Sequence, residues 1–106
     1  MTEFDYMEPE LYSLAGSKLE QHESVSIRVR QKSADAVRKA IDLDAQYFSL
    51  RQEGKNNRIL LFKFGWYAFR TPMLWGLLNK ARILDAALST RREGRDLIIT
   101  ITPPGK

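Results

Sequence analysis

Arg58-Ile59-Leu60-Leu61-Phe62-Lys63-Phe64-Gly65-Trp66-Tyr67-Ala68-Phe69 opens the most apolar part of the chain. Leu60, Phe62, Phe64 and Trp66 fall on one side of a two-residue alternation. Ile59, Leu61, Lys63, Gly65 and Tyr67 fall on the other. That period predicts a strand over 58–69, with the aromatic row turned inward. The apolar stretch continues to Leu78 but holds Lys63, Arg70 and Pro72, so it lacks the roughly 20 unbroken apolar residues a membrane span needs.

Working outward, Glu53-Gly54-Lys55-Asn56-Asn57 is rich in turn formers, and Tyr47 to Gln52 alternates again. Together with 58–69 these read as a hairpin. Thr71-Pro72 suits a capped helix start, and Leu74, Leu77, Leu78, Ala81, Leu84 and Leu88 follow helical spacing. Arg91 to Gly94 reads as a turn. Asp96 to Thr102 is a final strand with Leu97, Ile99 and Ile101 on one face, ended by Pro103 and Pro104. Before the hairpin, Val25, Ile27 and Val29 alternate with Ser26, Arg28 and Arg30 in a half-buried strand. Ser33 then caps a helix with Ala34, Val37, Ala40 and Ile41 inside. A first helix spans 9–20 with a Leu11/Leu14/Ala15/Leu19 stripe.

This order predicts an α+β domain, a ferredoxin-like β-α-β-β-α-β sandwich with an extra N-terminal helix. Its four antiparallel strands would carry two helices on one face. The expected core is Val25, Ile27, Val29, Phe62, Phe64, Leu77, Leu78, Ala81 and Leu84. The length of 106 residues suits one such core.

Charge divides the chain into an acidic segment, 1–23, and a basic α+β domain, 24–106. Residues 1–23 hold six acids against Lys18 alone, a net −5. The remainder holds 16 basic and 7 acidic residues, a net +9, and the whole chain is +4. Such a body favours phosphate-rich partners. On the predicted fold, the sheet face away from the helices carries Arg28, Arg30, Tyr47, Arg51, Lys63 and Tyr67. Lys55 and Arg58 extend it through the hairpin. Basic side chains can track a phosphate backbone while tyrosine rings stack on unpaired bases. The sequence therefore points to a small nucleic-acid-binding module for single-stranded RNA or DNA. The layout is similar in outline to the RNA-recognition-motif domain, which binds on an open four-stranded sheet. The run Arg58-Ile59-Leu60-Leu61-Phe62-Lys63-Phe64 departs from that family's third-strand signature of basic, glycine, aromatic, small and aromatic residues.

The alternative is a protein-interaction module, a homodimeric adaptor or small inhibitor, acting through Ile59, Leu61, Met73 and Trp75. Ile59 and Leu61 would lie on the same open face, where a solvated platform has little use for aliphatics. The N-terminal helix could cover them as a lid or as a strap across a dimer, its acids meeting Arg28, Arg30 and Lys63.

Cysteine is absent and His22 is the lone histidine, which removes thiolate sites and paired-histidine metal motifs. His22 itself reads as a surface side chain. No glycine-rich phosphate loop or nucleophile elbow is present. A non-enzymatic protein without metal or cofactor is expected. The acidic start with Pro9 lacks a secretory pattern, so a cytoplasmic location without membrane partners is expected.

Overall fold

Two central strands organise the chain. Strand β2 (Val25–Val29) and strand β4 (Asp96–Thr102) pair antiparallel, with Ile27 opposite Ile99 and Val25 opposite Ile101. Both were legible as strands, and Val25, Ile27, Val29, Leu97, Ile99 and Ile101 are fully buried on one face. The computed structural model describes residues 2–55, 57–70 and 72–105, and the side chains of these apart from 68, 70, 72 and 73. Strand β1 (Thr2–Asp5) lies parallel to β2, and strand β3 (Ala87–Glu93) lies antiparallel to β4. The sheet is therefore mixed and ordered β1-β2-β4-β3. The all-antiparallel ferredoxin-like arrangement is not what forms. The coarser expectation, α+β with a four-stranded sheet, is met.

The helices are α1 (Leu11–Glu20), α2 (Gln31–Gln52), α3 (Arg58–Arg70) and α4 (Pro72–Ile83). α1, α2 and α4 cover one face of the sheet. Leu11, Ala15 and Leu19 meet Ala34, Val37 and Ile41 and Leu74, Leu77, Leu78 and Ala81 in one core, with Leu84 packed at its border. Burying one such side chain contributes about 1.5–3 kcal/mol. α1 and α4 approach closely at Gly76. A Cβ there would come within 2.8 Å of the Tyr12 ring.

Several sequence expectations are overturned. Residues 47–52 complete α2, a 22-residue helix, and are not a strand. Its start comes ahead of Ser33: Arg30 takes the capping position without a side-chain bond, and the Asp96 carboxylate accepts the Gln31 N–H at 3.0 Å from across the sheet. Residues 58–69 lie within α3. Asn57 Oδ1 accepts the Leu60 N–H at 3.1 Å, the bond a helix N-cap makes. Phe62 is 78 % exposed and lies outside the core, and Phe64 is half-buried. The last helix stops at Ile83, so Leu88 belongs to β3, as do Arg91 to Glu93. Gly94 and Arg95 make the two-residue hairpin loop, with Gly94 at φ 63°. Thr71, the expected cap of the last helix, lies outside the described residues.

α1 and α4 end alike. His22 and Asp85 adopt φ of 61° and 58°, and Glu23 N–H and Ala86 N–H reach back to the Lys18 and Ala81 carbonyls. This left-handed termination normally employs glycine.

Candidate functional site

The two faces on which a site was expected have different chemistry. The sheet face away from the helices carries Glu3, Asp5, Ser26, Arg28, Ser89, Arg91, Glu93, Asp96, Ile98 and Thr100 by strand alternation from the pairing register. Arg28 lies at its centre, bonded to Glu93 at 2.7 Å and Asp96 at 3.0 Å, with Glu3 at 3.4 Å. Arg30 pairs with Asp5 at 3.2 Å and approaches Asp96 at 3.7 Å. Hydrogen bonds from Arg28 to Glu93 and then to Asp96 hold its guanidinium well above its ordinary pKa. Arg28, then Arg91, holds Glu93 below the usual carboxylate range, and the Met7 N–H does most to lower Asp5. Ile98 is fully buried between Arg28 and Arg91 in register. The arginine stems screen it from water. The face is a network of four carboxylates and three arginines, so its charge is largely satisfied internally.

The other expected binding residues stand elsewhere. Tyr47 and Arg51 belong to α2, Lys55 to the connection after it, and Arg58, Lys63 and Tyr67 to α3. Arg51, Arg58 and Lys63 are exposed, and Lys55 pairs with Glu53 at 3.4 Å. Tyr47 stacks on Phe64 at 5.1 Å and 20°. The basic and aromatic residues expected on one sheet face are thus split between that face and the α2–α3 pair.

α3 packs on α2 and α4, where it contributes Leu60 and Phe64. Phe64 meets Trp75 edge-on at 4.5 Å and 71°. Beyond it the Arg82 guanidinium lies 3.4 Å over the Phe48 ring and bonds to the buried Asp44. Burial, opposed by Arg82, pushes the Asp44 carboxyl above its ordinary value, and its Oδ1 has no hydrogen-bond partner among the described residues.

The outer side of α3 is apolar. Ile59, Phe62, Trp66 and Phe69 are 70, 78, 60 and 85 % exposed. Their 3-4-3 spacing sets them in one stripe, the seam of a helix that packs on another helix. Leu61, 42 % exposed, lies off that seam. Of the expected partner residues, Ile59 and Leu61 are surface side chains. Trp75 is half-buried against Phe64 and the core border, and the Met73 side chain lies outside the described ones. The N-terminal helix does not cover Ile59, because Leu11 and Leu19 turn into the sheet core. Sequence reasoning placed Phe62 and Trp66 inside and passed over Phe69. The signal that could have found them was Asn57 three residues before Leu60, followed by apolar residues at 59, 62, 66 and 69.

Among the described residues, no group of three or more His, Asp or Glu could hold a metal ion, and no helix is long and apolar enough to cross a membrane. Comparison with protein-family models, curated proteins and solved structures finds no match.

Proposed function

We propose that the protein is a non-enzymatic protein-interaction module that docks through the outer face of α3. One observation carries this reading: Ile59, Phe62, Trp66 and Phe69 lie in a single exposed stripe. Large side chains bury about 150–250 Å² each, so the exposed fractions correspond to roughly 600 Å² of apolar surface. The largest apolar patch on a monomeric protein is usually about 300–600 Å² and often functional. Aromatic residues also dominate the energetics of protein interfaces. The sheet face supports binding less well, since Arg28 and Arg30 already face carboxylates.

A photo-crosslinking amino acid at position 62 of the full chain, compared with one at exposed Ser89 on the sheet, tests this reading in cells that make the protein. Protein adducts at 62 in excess of those at 89 are expected. Equal yields at the two positions, or adducts to nucleic acid alone, would overturn it.

A further inference from the structure

We infer that the occupant of the α3 stripe is the α3 stripe of a second copy, packed antiparallel across a two-fold axis. The inference rests on the interaction reading above and names its partner.

Three observations favour a second copy. The spacing 59, 62, 66, 69 is the same in both directions. Reversing the helix carries Ile59 onto Phe69 and Phe62 onto Trp66, so a two-fold copy presents the same seam in register. Two-fold interfaces are self-complementary in this way. The area is sufficient as well. Two stripes of roughly 600 Å² give roughly 1,200 Å², the lower bound for specific interfaces. Finally, the seam is short and narrow. It covers about 15 Å of helix at about 1.5 Å per residue. Arg58 and Lys63 flank it on opposite sides, both exposed. An apolar seam edged by charge matches the a/d row of a helix pair, with basic residues outside it.

Charge works against this pair. α3 contains Arg58, Lys63 and Arg70 and no acid. With Ile59 at an a position, Arg58 takes g and Lys63 takes e, and antiparallel packing sets Lys63 of one copy beside Lys63 of the other across the two-fold axis, so apolar burial must drive association. That fixes the salt dependence. Screening the basic flanks leaves the dimer unchanged or tighter, whereas an acidic protein or a phosphate backbone would let go as salt rises.

The test is sedimentation equilibrium of the purified full chain across concentration and salt. A dimer in the micromolar range that does not weaken with salt is expected. Phe62→Asp should weaken it by about 30-fold or more, the fold-change of a hot-spot side chain. Its circular dichroism, and its Tm at concentrations where the parent is monomeric, should match the parent, since position 62 is 78 % exposed. Phe62→Ala provides the same measurement without adding a charge. An equimolar mixture of the parent and Lys63→Glu should form a tighter dimer than either protein alone, because an antiparallel pair then sets a carboxylate at position 63 of one copy beside Lys63 of the other. A parallel pair would instead set the carboxylate at position 63 beside Arg58 and make the variant alone the tightest dimer. A monomer at every concentration, a dimer indifferent to position 62, or a mixture with Lys63→Glu that is no tighter than the variant alone overturns the inference. A monomer that still crosslinks to another protein from position 62 removes the second copy but leaves the interaction reading standing.

Discussion

The β2–β4 seam and the α3 stripe are both rows of large apolar side chains, yet one lies at the centre of the core and the other faces outward. Ile27 and Ile99 lie opposite each other with no exposure, while Phe62 and Phe69 are 78 and 85 % exposed. The difference is not in hydrophobicity. β2 and β4 are covered by three helices on one face and, at Ile98, by arginine stems on the other. α3 leans on α2 and α4 along one side and leaves Ile59, Phe62 and Phe69 largely exposed on the other. An apolar row is buried only where an element exists to meet it.

The comparison is broken most directly by truncating both rows. Ile99→Ala should cost about 2–5 kcal/mol through lost burial plus a cavity. Phe62→Ala should stay within about 0.5 kcal/mol under conditions where the protein is monomeric. Urea denaturation of each at low protein concentration measures both, and comparable losses would place Phe62 in the core after all.

A second perturbation probes the helix layer over the sheet. Gly76→Ala drives a methyl toward the Tyr12 ring. Overpacking of this kind costs about 1–3 kcal/mol, part of it offset by the better helix propensity of alanine. Adding Tyr12→Ala should remove the clash and make the double variant more stable than the two losses together predict, as a thermal double-mutant cycle will read.

Arg82 joins the core to the α3 side, since it holds Asp44 and covers Phe48. Arg82→Met keeps the stem and removes the charge. It should cost about 1–2 kcal/mol at neutral pH, discounted from the fully buried case because Arg82 is partly exposed. The pH dependence has a definite sign. Burial raises the Asp44 pKa above its unfolded value, so the fold favours the protonated acid. The penalty in the variant is therefore largest at neutral pH and shrinks as pH falls through that raised value. Tm measured against pH for parent and variant should converge on the acidic side.

The smallest effect lies at a helix end. His22→Gly relieves a left-handed conformation and should raise stability by about 0.5–1 kcal/mol in urea titration, leaving self-association unchanged.

What could be read from the sequence follows the same division. β2 and β4 alternate apolar residues with distinct neighbours, and α2 opens with Ala34, Val37, Ala40 and Ile41 at one period only. Those elements were visible because one face was apolar and the other was not. α3 carries apolar residues on almost every side, so Leu60-Phe62-Phe64-Trp66 fits a strand as well as Ile59-Phe62-Trp66-Phe69 fits a helix stripe. The six residues 47–52 alternate by chance within a helix that meets no breaker from Gln31 onward. β3 is a polar edge strand with Leu88 as its lone large apolar residue, and β1 is four residues long. Neither offers a period. The end of α4 was hidden because Asp85, not glycine, takes the left-handed turn. The expected basic sheet face disappeared with the strands assigned to it, since most of its residues reside on helices.

The central pairing has a kinetic consequence. Arg28 and Asp96 meet across 68 residues of chain, and the intervening α2, α3, α4 and β3 form one closed excursion between adjacent strands. Closing such a loop is slow compared with forming a local helix or the β3–β4 hairpin. Its entropic cost, however, rises by only about 0.6 kcal/mol per doubling of length. Insertions in the α2–α3 connection near Gly54 should therefore leave folding speed and stability almost untouched. A chain reconnected so that β2 and β4 become sequence neighbours should instead fold markedly faster.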